Sequence, residues 1–208
     1  MPPLALGVLA SGRGSNLQAL LEAGVPVSAV ISNRAGAPGL AIAARHAVAI
    51  RVVEHEAYAS REDFDAALAA QIERFAPRLV VLAGFMRILT PAFVARYAGR
   101  LMNVHPSLLP AFPGLDTHAR ALAAGVKLHG CTVHFVTADL DHGPIVAQAA
   151  VPVLADDTPG TLAARVLAQE HVVYPAAVRW YLEDRLVVEE GRVRVKGNDA
   201  QLVFAARP

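Results

Sequence analysis

Short continuous apolar runs alternate with amphipathic segments through the first half of the chain. The runs at residues 4–9, 27–31, 50–53 and 79–83 have the unbroken character of strands covered on both faces. Between them the apolar positions recur at helical spacing. Leu17, Leu20 and Leu21 form one stripe, with Gly24 as its stop; residues 38–46 form a second helix. Phe64, Ala67, Leu68, Gln71, Ile72 and Phe75 form a third, behind the capping pair Ser60 and Asp63. Thr90 followed by Pro91 starts a fourth. Strand–helix alternation of this kind predicts a parallel, doubly wound sheet.

The pattern changes after residue 100. Residues 101–105 read as a fifth strand, stopped by Pro106, and residues 117–124 as a helix ended by Gly125. Residues 129–136 and 145–153 flank the turn LDHGP and predict an antiparallel pair, the first alternating apolar and polar positions. Thr158 and Pro159 open a long helix reaching about residue 182. The runs 186–189 and 192–195 flank Glu190-Gly191 as a terminal hairpin. No Pro/Gly/Ser linker divides the chain, so one domain over 1–208 is predicted. Its N-terminal half (1–100) holds a glycine loop and its C-terminal half (101–208) the polar constellation described next.

The fifth strand, LMNVH, delivers an amide, Asn103, and an imidazole, His105, to its C-terminal end. Open α/β sheets bind ligands at that edge. Asp141 follows in the LDHG turn. Amide, imidazole and carboxylate are the parts for proton transfer and oxyanion stabilisation. Each also has a bland reading: His105 as a strand-end histidine on a backbone carbonyl, Asp141 as a turn-former bonding its own backbone. Spacing alone identifies no partner for His46, His55, His118 or His129, and His134 lies mid-strand, facing either side.

The first strand runs into SGRGSN at a helix start. Gly12 and Gly14 permit close backbone approach, and helix-terminal N–H groups favour an anion. Leu17 stands where a dinucleotide fingerprint needs its third glycine, Ser32-Asn33-Arg34 where its acid belongs, and no Gly-Lys-Ser/Thr follows. The loop suits a single phosphate, held by Gly14, Ser15 and Asn16; the alternative is a tight turn with no ligand.

Composition excludes some classes. Of 208 residues, 54% are hydrophobic and 18% charged, which is globular rather than disordered. A net charge of +1 offers no basic patch for nucleic acid or a membrane surface. The single cysteine, Cys131, allows no internal disulfide and reads as a small core residue. The N-terminus lacks a basic start, and no apolar run is long enough to span a bilayer. A cytoplasmic protein is expected. Metal-ligand spacings and a GxSxG elbow are both missing from the sequence, so no metal and no serine nucleophile are expected.

The stretch NVHPSLLPAFPG, with GRGSN, FMRIL and DLDHGP, resembles the phosphoribosylglycinamide formyltransferase family of the folate-dependent formyltransferases. The likeness runs in order from ASGRGSNLQAL to QEHVVYPAAVRWY. It implies a Rossmann-like formyltransferase fold: a mixed, mostly parallel sheet with helices on both faces and a C-terminal hairpin. It implies transfer of the formyl group of 10-formyltetrahydrofolate to the amine of phosphoribosylglycinamide, without a metal. By that resemblance Asn103, His105 and Asp141 match the catalytic trio. Gly14, Ser15 and Asn16 match the ribonucleotide phosphate loop, and Glu170 a carboxylate on the glycinamide end. Met86, Arg87, Ile88 and Leu89 match the pterin-binding segment, to which Asn103 adjoins, and Arg61 a basic residue near the folate tail. Plain surface charges are the alternatives for Arg61 and Glu170. His142 and Asp116 depart from the family pattern, standing where relatives often carry glycine and histidine.

Three rivals remain at this level. A methionyl-tRNA formyltransferase would bring a C-terminal RNA-binding domain, and a formyltetrahydrofolate hydrolase an N-terminal regulatory one; neither is expected from how this chain begins and ends. A non-catalytic nucleotide-binding module would keep GRGSN but would not need Asn103, His105 and Asp141 together. The expected partners are small molecules only, with the chain a monomer or homodimer.

Overall fold

The computed structural model describes residues 6–9 and 13–205, with backbone alone for 6–9. These fall into two compact units that meet in sequence between Asn103 and Val104.

In the first unit the chain runs β1 (Leu6–Leu9), α1 (Ser15–Glu22), β2 (Val27–Ser32), α2 (Pro38–Arg45) and β3 (Ala49–Val52). A single 3₁₀ turn at His55–Ala57 leads into α3 (Arg61–Glu73), then β4 (Leu79–Leu82), α4 (Pro91–Arg96) and the start of β5 (Leu101–His105). The strand order is β5-β4-β1-β2-β3, and every pairing is parallel. Each strand is followed by a helix, as the alternating pattern requires, because a parallel neighbour can be reached only by a crossover. The helix signals hold in detail. The Ser60 hydroxyl accepts from Asp63 N–H, Thr90 Oγ1 accepts from Phe93 N–H, and Pro38 and Pro91 occupy first-turn positions.

Successive strands step one way from β1 to β3 and the other way from β4 to β5. The reversal lies between the neighbours β1 and β4. Their C-terminal ends open the crevice in which doubly wound sheets take ligands. The chain leaves β1 toward Gly14, and β4 toward residues 86–89.

One side chain in α3 breaks the apolar stripe. Asp65 is buried, and its carboxylate accepts from the Thr90 N–H at 2.7 Å. It thereby fixes the end of the loop that follows β4. Phe75, assigned to the stripe from spacing, is only half-buried.

The second unit contains the end of β5, α5 (Thr117–Ala123), β6 (Leu128–Phe135), β7 (Ile145–Pro152), α6 (Pro159–Leu182), β8 (Leu186–Glu189), β9 (Arg192–Val195) and β10 (Leu202–Phe204). Strands β6 and β7 pair antiparallel with an irregularity at Val133/His134, and β10 adds to β7 in parallel. The hairpin β8-β9 forms its own two-stranded sheet. The whole is a mixed α/β fold of the expected class. Two details differ from the sequence reading. The alternation along β6 does not separate core from solvent: apart from Leu128 every residue is buried, because helix α6 and the loop after β5 cover the strand. Strand β10 had no sequence signal, since three residues are too few for a period of two to stand out. Helix α6 opens with the reciprocal Thr158–Thr161 cap and is further tied by Arg165, whose guanidinium grips Asp157 through two hydrogen bonds at 2.7 and 2.8 Å.

Candidate functional site

Pro106 ends β5 and turns the chain into residues 106–116, a loop with no regular structure. Backbone groups of the loop are stapled to the sheet. Thr132 Oγ1, on β6, donates to Ser107 O at 2.7 Å and accepts from Leu109 N–H at 3.0 Å. Gln148, its partner across the ladder, donates to Leu109 O at 2.9 Å. Ser107 Oγ donates to Ala111 O, and Thr117 Oγ1 to Pro106 O, both at 2.7 Å. The Leu109–Pro110 peptide is cis.

A second turn comes from β6. Residues 136–144 double back so that β7 can pair with β6. Gly143 makes this possible: a Cβ there would stand 1.7 Å from Phe135 O. Asp141 adopts φ 56°, a left-handed conformation that Asp tolerates better than most residues.

The two turns bring Asp141 and His105 together. Asp141 Oδ2 lies 3.5 Å from His105 Nδ1 and accepts from Gly114 N–H at 2.8 Å. Both side chains are 7% exposed. On the other side of the ring, His105 Nε2 lies 3.0 Å from Phe112 O. A carbonyl only accepts, so Nε2 carries a hydrogen. Nδ1 then faces a carboxylate, a contact that attracts only when Nδ1 carries a hydrogen too. The site is thus built for an imidazolium between a carbonyl and a carboxylate. Asn103 sits two residues earlier on β5, on the same face of the strand, and is half-buried.

A further histidine adjoins the pair. His134 Nε2 lies 3.8 Å from Asp141 Oδ1, and its Nδ1 lies 3.0 Å from Phe135 O. Burial pushes its pKa down against the opposing pull of that carbonyl and of Asp141. His134 is therefore neutral, with Nδ1–H donating to Phe135 O. Its contact with Asp141 is packing and polarity rather than an ion pair. Sequence spacing left its face undecided; in the structure the β6–β7 register shifts between Val133 and His134, and the ring lies beside Asp141.

His118 and His129, which had no partner by spacing, meet each other: His129 Nε2 lies 3.2 Å from His118 Nδ1, with the rings edge-to-face. Burial lowers the pKa of both, and that of His129 falls to about 4, with the His118 and His105 charges adding.

Glu170, half-way along α6, is buried rather than solvated. Its charge adds to burial in pushing the Cys131 thiol far up, so that Cys131 is an inert core residue.

In the first unit, Gly14 precedes α1 with φ 83°, and Ser15 and Asn16 form the first turn, both half-buried. Gly14 is needed for packing as well as for any ligand, because a Cβ would stand 2.7 Å from Gly39 Cα. Gly12 lies outside the described residues. The segment 86–89 is a loop with Met86 and Ile88 largely exposed and Leu89 buried. Arg87 stacks its guanidinium 5.1 Å from the Phe64 ring centroid. Arg61 is exposed at the first position of α3.

Residues 5–178 match the family model described as formyl transferase. The chain is 49% identical over 196 residues to phosphoribosylglycinamide formyltransferase of Escherichia coli (strain K12), covering 91% of this chain and 92% of that protein. It is 46% identical over 180 residues to the trifunctional purine biosynthetic protein adenosine-3 of Homo sapiens, covering 84% of this chain but only 18% of that longer protein. Among solved structures, phosphoribosylglycinamide formyltransferase from Coxiella burnetii superposes with a TM-score of 0.89 at 47% identity, covering 94% of each chain.

Proposed function

Because this chain belongs to the formyl transferase family, with relatives of matching length named as phosphoribosylglycinamide formyltransferases, we propose that it transfers a formyl group from 10-formyltetrahydrofolate to the amine of phosphoribosylglycinamide. The products are N-formylglycinamide ribonucleotide and tetrahydrofolate, a step of purine synthesis. The observation that carries the reading is the His105–Asp141 contact, at the end of the strand that also carries Asn103.

The glycinamide amine attacks the formyl carbon, and a tetrahedral oxyanion forms. Asn103 donates an amide N–H to it. His105 opposes its charge as an imidazolium. The His105 ring is held from both sides, Nδ1 facing Asp141 at 3.5 Å and Nε2 the Phe112 carbonyl at 3.0 Å, so its charge stays in place as the oxyanion develops. Asp141 keeps the ring charged and oriented. A proton passes from the attacking amine to N10 of the folate, the carbon–N10 bond breaks, and tetrahydrofolate leaves. The chemistry needs no covalent enzyme intermediate. Burial of both side chains strengthens these charge interactions.

Gly14, Ser15 and Asn16 hold the ribonucleotide phosphate at the α1 N-terminus. Buried Glu170 receives the glycinamide end. Met86, Arg87, Ile88 and Leu89 take the pterin, with Asn103 adjoining, and Arg61 attracts the folate tail. The reaction takes place in the cytoplasm, with the chain acting as one catalytic domain. Among the described residues no helix is long and apolar enough to cross a membrane.

Product analysis tests this reading. Purified protein with 10-formyltetrahydrofolate and phosphoribosylglycinamide is expected to give tetrahydrofolate and formylglycinamide ribonucleotide in equal amounts. Release of free formate, with the amine unmodified, would identify water as the acceptor and overturn it.

A further inference from the structure

We propose that Arg120 is a positioning residue for the His105–Asp141 pair, acting through the backbone of residues 112–115; the proposal rests on the catalytic reading of that pair. One four-residue stretch holds both members. The Phe112 carbonyl accepts from His105 Nε2 at 3.0 Å, and the Gly114 amide donates to Asp141 Oδ2 at 2.8 Å. A shift of this stretch moves both partners at once.

The stretch is not in a relaxed conformation. Phe112 has φ 54°, Gly114 φ 78° and Asp116 φ 55°. Glycine accepts this region freely, and Asp tolerates it. A bulky aromatic residue rarely adopts it, and such a residue stays there only where its surroundings hold it.

Arg120, in the first turns of α5, supplies that hold. Its Nη1 donates to Pro113 O and, at 3.3 Å, to Leu115 O, so one nitrogen grips the carbonyls on either side of Gly114. Its Cζ lies 5.7 Å from the Phe112 ring centroid, and the same ring meets His129 edge-to-face at 5.9 Å. Phe112 is thus held between the guanidinium and a buried imidazole. Several N–H donors in a plane with a flat stacking face are what a guanidinium has and an ammonium lacks. Arg120 itself is exposed, and none of its contacts is with the side chain of His105 or Asp141.

The test compares Arg120→Ala, Arg120→Lys and Asp141→Asn with the unaltered protein in kcat, both KM values, the pH profile of kcat and Tm. Arg120→Ala is expected to lower kcat by about tenfold, because small misplacements of catalytic groups cost rate steeply. Both KM values should stay within about twofold, on the same reasoning that remote positioning is felt in the transition state. The pH profile of kcat should be displaced, which a merely structural role would not do. Arg120→Lys should recover only part of the rate, since an ammonium lacks the flat face that a guanidinium lays on the Phe112 ring. If Arg120→Ala does not fold, Arg120→Gln is read in the same way. An unchanged kcat and profile overturns the proposal. So does a loss confined to KM, which would make Arg120 a substrate contact, or full recovery by lysine, which would leave only its charge. Near-normal kcat in Asp141→Asn instead overturns the catalytic reading itself. A crippled Asp141→Asn beside a normal Arg120→Ala refutes the role of Arg120 alone.

Discussion

Asp141 Oδ2 faces His105 Nδ1 at 3.5 Å while accepting a hydrogen bond from Gly114 N–H, so the one carboxylate both opposes the imidazole and fastens the loop that follows it. Its role in rate and its role in shape are separable. Asparagine tolerates a left-handed φ as aspartate does, so Asp141→Asn keeps the turn and removes the charge. The expected result is a kcat lower by on the order of 10²-fold or more, the range for acid–base groups and oxyanion stabilisers, with a smaller change in ribonucleotide KM. Tm on the same sample should move little. A turn-former alone would show the reverse, a lower Tm with kcat kept in the folded fraction.

The phosphate loop calls for a gentler substitution than one at Gly14. Any side chain there meets Gly39 Cα at 2.7 Å, so a loss of activity would report packing rather than ligand. Ser15→Ala and Asn16→Ala leave the helix start in place. Each is expected to raise ribonucleotide KM about tenfold or more, since a hydrogen bond to a charged group is worth about 1.5–3 kcal/mol, with kcat nearly kept. An unaltered KM in both variants removes the loop from the substrate site.

Stability should depend on acid through His129. Its pKa is about 4 in the folded chain against 6.5 for an ordinary histidine, chiefly because of burial. Between pH 6.5 and 4 the unfolded chain binds a proton that the folded chain refuses, so stability rises with pH across that window. Above it both forms are neutral, and below it both are charged. The full difference is on the order of 3 kcal/mol. The lowered pKa of His118 acts in the same direction. Denaturant midpoints at pH 7 and pH 4.5 should therefore differ more in the unaltered protein than in His129→Gln. Equal differences would place the acid sensitivity elsewhere.

Cys131 should be chemically silent. Burial and the Glu170 charge push its thiol well above the ordinary range. The native protein is expected to react with a thiol reagent at neutral pH only at the rate of its unfolding, and at once in denaturant. Prompt labelling of the native chain would show that β6 opens more readily than its burial indicates.

The sequence by itself determined the elements whose signals are local. Helix α6 begins where Thr158 and Pro159 announce it, β5 stops where Pro106 removes a donor, and the parallel sheet of the first unit follows from strand and helix alternating in turn. Asn103 and His105 could be placed on one face because the period of a strand is two. The family motifs named the trio from residue types alone. Tertiary structure decided what depends on distant segments meeting. His105 and Asp141 are 36 residues apart in sequence, and only the return of the chain around Gly143 brings them to 3.5 Å. The facing of His134, the His118–His129 pair, the burial of Asp65 and Glu170, and the grip of Arg120 on residues 112–115 arise in the same way. Caps, turns and periods act over a few residues and are written where they act. A side chain's partner is set by loop paths and packing across the sheet, and no single stretch of sequence contains it.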